Sequence, residues 1–133
     1  QTPVTVDYDE RGVPHIRAEN EADMYRALGF VHAQDRLFQM ELLRRLARGE
    51  LAEVLGEKLV PTDRLFRTLE IGRHADAYAA RLDANSPSTQ ALQHYLEGVN
   101  QYQASRPRPL EFDLLGKYVE KLMLTRAVPT VAG

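Results

Sequence analysis

The chain has 133 residues, enough for one domain with a modest core and too few for two independent domains. Its 17 basic and 19 acidic residues give a net charge of −2 without any basic block, which argues against nucleic acid as a partner. No apolar run approaches the ~20 residues needed to span a membrane. Because there is no cysteine, disulfides and thiol chemistry are excluded. We therefore expect a globular polypeptide with neither nucleic acid nor membrane as a partner.

The first residues predict a β-hairpin. Residues 4–8 alternate apolar and polar side chains, as a half-buried strand does. Asp9 to Gly12 is a turn sequence in which Gly12 can take a positive φ. Residues 13–17 can return antiparallel, and Pro14 suits an edge or first-residue position because it has no amide hydrogen. Since an isolated hairpin is marginally stable, we expect this one to join a larger sheet.

The chain is organised around residues 20–53, which predict a long helix followed by a hinge at Gly49. Asn20 is a good N-cap residue, and carboxylates follow it in the first turn. One apolar stripe recurs at steps of three, four and seven: Met24, Leu28, Val31, Phe38 and Leu42. The remaining place on this stripe belongs to Asp35, where a carboxylate must be paired or hydrogen-bonded. We favour a buried ion pair or backbone cap for Asp35, and a catalytic acid is the alternative.

Further helices are predicted between residues 51 and 105. A short helical turn over 51–55 ends at Gly56, and Pro61 opens the next helix. We expect that helix to be continuous, with an inward-facing stripe formed by Leu65, Phe66, Leu69, Ala75, Ala79 and Leu82. Ser86 and Pro87 predict the N-cap and first position of a third long helix. Its stripe consists of Leu92, Tyr95, Leu96, Val99 and Tyr102.

The residues supply no self-contained active site. The sequence has no Gly-x-Ser-x-Gly elbow, no His-Glu-x-x-His and no glycine-rich phosphate loop. Its four histidines lack metal-ligand spacing, and its serines lie in caps or linkers, where hydroxyls serve the backbone. Carboxylates such as Glu50 and Glu70 are expected on solvated faces. Neither a nucleophile with its base nor a metal site can be assigned.

Six blocks of the sequence nevertheless share one pattern. They read DERGVPHI at 9–16, GFVHAQDRLFQME at 29–41 (which contains Asp35 and Arg36), RR at 44–45, GELAEVLG at 49–56, LEGVN at 96–100 and PLEF at 109–112. Together, in this order, they resemble the penicillin acylase family of N-terminal-nucleophile amide hydrolases, over about residues 3–116. The chain resembles the smaller, N-terminal α subunit of such an enzyme.

The resemblance implies an α+β fold class. The α subunit would be helix-rich with an N-terminal β-hairpin, and it would complete an αββα N-terminal-nucleophile hydrolase fold with a separate β subunit. Residues 1–19 would form the hairpin that joins the partner's sheet, residues 20–105 a helical scaffold, and residues 106–133 a linker and a C-terminal pocket helix. Both subunits would come from one precursor and form a heterodimer, in the periplasm or outside the cell after removal of a signal peptide.

The resemblance also implies that no catalytic residue lies on this chain. In the family the nucleophile is the first residue of the β subunit, usually Ser, which is freed when the precursor, a zymogen, cuts itself. Its α-amino group, with a pKa near ~8, acts as the base, so catalysis needs no cofactor. The small-molecule substrate would carry an acyl group on an amine such as a β-lactam nucleus or homoserine lactone, relating the enzyme to antibiotics or to quorum quenching.

Near the C-terminal end, residues 121–127 resemble the Met-x-x-Arg pocket helix of relatives. Met123 would line the acyl chain, Arg126 would lie at the pocket mouth, and Ala127 would leave room in the pocket. The alternative is a core methionine and a solvated arginine. Gly133 matches a frequent Gly–Ser processing junction, and the alternative there is a chain boundary or a frayed end.

Three alternatives stay open from the sequence. After Gly116 a turn of the relatives is missing, either because a surface loop has been lost or because the chain joins pieces across a gap. Some relatives bind calcium between subunits, but no acidic residue follows Glu120 here, so no metal is assigned to this chain and Ca²⁺ would be held mainly by the β subunit. Finally, the apolar stripes also fit a stand-alone helical binding module without catalysis.

Overall fold

The computed structural model of the protein describes residues 1–107 and 109–115. Its elements are β1 (Thr5–Tyr8), β2 (Pro14–Arg17), α1 (Glu21–Arg48), α2 (Ala52–Leu55), a 3-10 turn (Glu57–Leu59), α3 (Val60–Thr68), α4 (Ile71–Ala79), α5 (Pro87–Ser105) and α6 (Leu110–Leu114). They form two compact units. The first contains Gln1–Arg36 and Asp83–Pro107, and the second contains Leu37–Leu82 and the described residues 109–115. Among the described helices, none has the length and apolar character that a membrane span requires.

The predicted hairpin is confirmed. β1 and β2 pair antiparallel with Thr5 opposite Arg17 and Tyr8 opposite Pro14. Gly12, at φ +74°, donates its amide hydrogen to the carbonyl of Asp9 over 2.9 Å. The Asp9 carboxylate accepts the amide hydrogens of Val13 and Arg11, and the bond from Val13 contributes most to lowering its pKa. The turn is therefore held both by its backbone and by one carboxylate.

The predicted start of α1 is also confirmed. Asn20 Oδ1 accepts the amide hydrogen of Asp23 over 2.8 Å, which makes Asn20 the N-cap. Asp23 in turn accepts hydrogen bonds from the hydroxyl and the amide of Thr2 and from the side chain of Asn20. The hydroxyl of Thr2 is the largest cause of the lowered pKa of Asp23. These bonds tie the start of the chain to the first turn of α1.

α1 is interrupted at Arg36, whose φ of −141° and ψ of 24° are not helical. Val31 and Ala33 are buried before the interruption, and Leu37, Glu41 and Arg45 after it. Asp35 is exposed, so the prediction that it faces the core is wrong. The reason is that the predicted apolar stripe holds only for one straight helix. The interruption at Arg36 changes which side chains of α1 are buried after it.

In the first unit, α1 and α5 cross with backbone against backbone. A Cβ atom at Gly29 would overlap the carbonyl of Tyr95, and one at Gly98 would overlap the carbonyl of Arg26. Beside this crossing, the rings of Phe30 and Tyr102 pack edge to face with centroids 5.4 Å apart. Glycine is required at both positions because only its missing side chain lets the two helices approach so closely.

The second unit corrects the prediction of one continuous helix after Pro61. Glu70 adopts a left-handed conformation with φ 55° and separates α3 from α4. The side chains of Leu65, Leu69, Ala75 and Ala79 are exposed, so the prediction that they face inward is wrong, whereas Phe66 and Leu82 of the same stripe are half-buried. Phe38 and Phe112 form the aromatic contact of this unit, edge to face at 5.4 Å.

α5 begins where the sequence predicts. Ser86 precedes Pro87 in an extended conformation, although its hydroxyl lies 2.9 Å from that of Ser88 and caps no backbone amide. Val99 and Tyr102 of the predicted stripe are buried, Tyr95 and Leu96 are half-buried, and Leu92 is exposed. The stripe is thus confirmed along the C-terminal part of α5.

We predict that Gly98→Ala lowers the free energy of unfolding by about 1–3 kcal/mol, because the new methyl group must push two helix backbones apart. Gly72→Ala is the matched control. It is also a helical glycine, but its Cβ would lie 3.6 Å from Arg48 Cγ, an ordinary contact. That variant should be neutral or more stable by up to about 1 kcal/mol. Urea unfolding measures both variants, and equal effects of the two would refute the close crossing.

Candidate functional site

The residues predicted for the acyl pocket and for processing are Met123, Arg126, Ala127 and Gly133. All four lie outside the described residues, so their roles stay predictions. The structure describes two clusters of polar residues, one in each unit. The hydrogen bonds within each cluster decide whether it has side chains left that could take part in catalysis.

In the second unit, Asp63 is buried and caps the backbone of the segment before it. Its two carboxylate oxygens accept the amide hydrogens of Leu51 and Ala52, each over 2.8 Å. Gly49, at φ +69°, forms the turn that brings this segment back, and a Cβ there would lie 2.6 Å from the carbonyl oxygen of Asp63. Arg67 Nε donates to the carbonyl of Gly49 over 2.8 Å. The GELA sequence is therefore folded onto the first turns of α3.

Arg45 lies at the centre of the same unit, with a side-chain exposure of 0%. Its Nε donates to Glu41 Oε1 over 2.9 Å, and its Nη1 donates to the carbonyl of Glu50 over 3.3 Å and to Glu53 Oε2 over 3.4 Å. Glu41 also accepts two hydrogen bonds from Arg44, at 2.8 and 2.7 Å. A buried charge is tolerated only when it is paired in this way.

Two more arginines extend the cluster toward solvent. Hydrogen bonds to Glu41 raise the pKa of Arg44, and hydrogen bonds to Asp76 raise the pKa of Arg48. Arg48 makes the latter bonds through both terminal nitrogens, each over 3.1 Å. Glu50, expected on a solvated face, is half-buried and lies 3.8 Å from Arg48 Nε, which corrects that prediction.

The cluster of the first unit is centred on Arg26. This side chain donates to Asp23, and it donates to Glu97 Oε2 through Nη2 over 2.8 Å. His94 Nδ1 lies 3.2 Å from both Arg26 Nη2 and Glu97 Oε2. Burial alone would raise the pKa of Glu97, but the hydrogen bonds from Arg26 and His94 outweigh it and lower the pKa. The cluster joins α1 to α5 beside the glycine crossing.

Neither cluster offers a nucleophile with a free base. His15 Nε2 lies 3.2 Å from Asp9 on the hairpin, and His32 Nδ1 lies 2.9 Å from the hydroxyl of Tyr95, so the histidines sit on surfaces and in structural pairs. Within residues 1–107 and 109–115 no group of acidic, histidine or cysteine side chains could hold a metal ion. The polar side chains of the two clusters bond to one another and to the backbone within their own units.

Sequence reasoning missed the structural roles of Asp63 and Arg45. The spacing of Glu41 and Arg45, four residues apart on a helix, was an available signal for their ion pair. No comparable signal exists for Asp63, because its partners are backbone amides of another segment. The exposed Asp35 has no described side-chain partner, so the favoured buried ion pair is not observed.

The second unit also exposes large apolar side chains. Leu65 is 55% exposed, Leu69 53% and Tyr78 65%, and Ile71 is partly exposed beside them on α3 and α4. Large side chains of this kind mark contact surfaces when they occur together. Leu65 and Leu69 belong to the stripe that the amphipathic pattern of the sequence assigned to a core.

We predict that Asp63→Ala costs about 1–3 kcal/mol of stability for each buried amide left without an acceptor. Asp35→Ala is the control. It also removes an aspartate carboxylate, but from an exposed site without a described side-chain partner, and it should change stability by less than about 0.5 kcal/mol. Thermal unfolding of both variants measures the difference. Comparable losses in the two variants would show that Asp63 is not a structural cap.

This chain is similar to known proteins of one family. The penicillin amidase family model matches residues 3–130. The penicillin acylase 2 proenzyme of Pseudomonas sp. (strain SE83) is 50% identical over 115 residues, which are 86% of this chain and 15% of that protein. The penicillin G acylase of Escherichia coli is 43% identical over 93 residues, 69% of this chain and 11% of that protein.

Two further relatives extend the comparison. The acyl-homoserine lactone acylase QuiP of Pseudomonas aeruginosa is 38% identical over 100 residues, 74% of this chain and 12% of that protein. The solved structure of a thermostable penicillin G acylase from Alcaligenes faecalis superimposes with a TM-score of 0.69 at 31% identity, over 85% of this chain and 62% of that chain. The chain therefore spans 11–15% of the length of these three curated relatives. It belongs to the penicillin amidase family.

Proposed function

We propose that this chain is the α subunit of a heterodimeric amide hydrolase that removes an acyl group from a small amine. Two observations together support the proposal. The family model matches residues 3–130, and the polar groups of the two described clusters make structural hydrogen bonds. A relative named as a proenzyme supports a precursor that is processed. The exposed apolar side chains of α3 and α4 supply a surface for the remaining polypeptide.

The chemistry then belongs to the N-terminal residue of the β subunit, a serine. Its hydroxyl oxygen attacks the carbonyl carbon of the substrate amide while its α-amino group accepts the hydroxyl proton. Backbone or side-chain donors of the β subunit stabilise the oxyanion. The tetrahedral intermediate expels the amine, which takes up the proton, and water then hydrolyses the acyl-enzyme to release the acid. No metal or organic cofactor takes part in these steps.

The α subunit contributes part of the pocket. Met123 lines the acyl chain, Arg126 lies at the mouth, and Ala127 enlarges the pocket, while Gly133 precedes the processing junction. Calcium, if bound, is held mainly by β-subunit oxygens. The enzyme acts in the periplasm or outside the cell, which fits the export of a processed precursor. These assignments rest on the family pattern and on the relatives named above.

A stand-alone helical binding module is the second candidate. The exposed Leu65 in α3 and Leu69 just after it favour it, because such a surface could bind a helix or another protein. Family membership over almost the whole chain favours the hydrolase instead. The two candidates predict different products of the complete gene. The first predicts a two-chain hydrolase, and the second predicts a binding protein without catalysis.

The direct test is to express the complete gene, purify its product and measure its intact mass and its activity. We expect two chains, the larger beginning with Ser, and hydrolysis of a penicillin or of an N-acyl-homoserine lactone when both are assayed side by side. Replacing that Ser by Ala should leave one uncut, inactive chain. A single wild-type chain that hydrolyses neither substrate would refute the proposal.

The pocket assignment has its own test in the assembled enzyme. We expect Met123→Ala to shift the ratio of kcat/KM between long and short acyl substrates by about tenfold or more, since each methylene in an apolar pocket is worth roughly 1–3 kcal/mol. Met40→Ala, at a half-buried position of α1, is the matched control and should leave the ratio unchanged. An unchanged ratio in Met123→Ala would remove Met123 from the pocket.

A further inference from the structure

The three asparagines of the chain lie in different surroundings. Asn20 caps α1, because its Oδ1 accepts the amide hydrogen of Asp23 over 2.8 Å and its Nδ2 donates to Asp23 Oδ2 over 2.9 Å. Asn100 lies inside α5, where the amide of the next residue, Gln101, belongs to the helical hydrogen-bond ladder. Asn85 lies outside the helices, in the connection between α4 and α5. Of the three, Asn85 is the least restrained.

The side chain of Asn85 is exposed and makes no hydrogen bond within the described residues. Its backbone amide donates to Asp83 Oδ1 over 2.9 Å, which leaves the side-chain amide free to rotate. The next residue is Ser86, whose backbone amide donates to the carbonyl of Asp83 over 3.0 Å. That single bond closes a turn of exposed residues, 83–85. Such a turn opens more readily than the interior of a helix does.

We propose that Asn85 is a modification site, at which the chain deamidates spontaneously. When the turn opens, the backbone nitrogen of Ser86 attacks Cγ of Asn85. The new N–Cγ bond closes a succinimide ring, while the Cγ–Nδ2 bond breaks and ammonia leaves with the proton of the Ser86 amide. Water then hydrolyses one carbonyl of the ring and leaves aspartate or isoaspartate at this position. Water is the co-reactant, and asparagine is a thermolabile residue in proteins.

The new carboxylate lies just before the start of α5. The first turn of α5 has no acidic residue, and the hydroxyl of Ser86 lies beside that of Ser88 and caps no backbone amide. A negative charge beside a helix N-terminus is stabilising. Aspartate at position 85 therefore suits the start of α5. Isoaspartate instead adds a methylene to the backbone before Ser86 and displaces that start.

Peptide mass spectrometry of the purified, complete protein tests the proposal. The folded protein is kept in mildly alkaline buffer, in which a backbone amide loses its proton more readily, and samples are digested at intervals. We expect Asn85 to convert at least about tenfold faster than Asn20 and Asn100, because opening an exposed turn costs less free energy than opening a helix cap or a helix interior. Asn20 and Asn100 are internal controls in the same molecule.

Two results would overturn the proposal. One is conversion of Asn20 or Asn100 at a rate equal to or above that of Asn85 in the folded protein. The other is an unchanged Asn85 in the folded protein after the urea-unfolded chain, treated in parallel, has converted. The measurement does not depend on the hydrolysis of any substrate, so its outcome is separate from that of the proposed function.

A pair of variants tests the ring-closing step. Asn85→Gln keeps a side-chain amide but places it one methylene farther from the Ser86 nitrogen, so we expect conversion at this position to slow by about tenfold or more. Ser86→Gly removes the side chain beside the attacking nitrogen and frees its backbone, so conversion of Asn85 should accelerate by about tenfold. Glycine is also accepted at a helix N-cap, so α5 should still begin there. Unchanged rates in both variants would contradict attack by the Ser86 nitrogen.

Discussion

The buried guanidinium of Arg45 is the constraint on which the second unit depends. It is fully buried, and it is held by Glu41, by the carbonyl of Glu50 and by Glu53. Removing one partner of a buried pair leaves an uncompensated charge and is strongly destabilising, by about 3–5 kcal/mol. The segment from residue 49 to residue 56 must therefore fold back over the end of α1. Asp63 completes this fold by capping the amides of Leu51 and Ala52.

The same bonding gives Glu41 and Asp63 structural roles. A general acid or base must reach the reacting atoms and exchange a proton with them. Glu41 accepts three hydrogen bonds from two arginines, and Asp63 uses both oxygens on the backbone. Their function is to hold helices and turns in position.

In the first unit the constraint is steric. Gly29 and Gly98 let the backbones of α1 and α5 meet, and Arg26 bonds to Glu97 beside the crossing. The first turn of α1 is fixed to the start of the chain through Asp23, which brings β1 into a defined place.

The sequence predicted those features that depend on local chemistry. The hairpin follows from Gly12 and strand alternation, the start of α1 from Asn20, and the start of α5 from Ser86 and Pro87. Prediction from the sequence failed where a helix is interrupted or where a residue distant in the sequence determines the structure. A stripe at helical spacing cannot show the interruption at Arg36 or the left-handed Glu70, so Asp35 and the stripe after Pro61 were assigned to a core that they do not face.

The polar scaffold could be predicted only in part. The i, i+4 spacing of Glu41 and Arg45 indicates an ion pair, but it does not indicate that the pair is buried. Asp63 bonds to backbone amides eleven and twelve residues earlier, and no side-chain pattern encodes such contacts. The exposed Leu65 and Leu69 look like core residues in the sequence because apolar stripes that face another polypeptide have the same spacing as those that face a chain's own core.

The central claim is that this chain supports a reactive centre without containing one. The most direct measurement is turnover of a penicillin and of an N-acyl-homoserine lactone by the purified 133-residue chain alone, before and after the remaining polypeptide of the same gene is supplied. The account predicts no hydrolysis by the chain alone and hydrolysis of at least one substrate once both parts are assembled. Hydrolysis by the isolated chain at the rate of the assembled enzyme would contradict it.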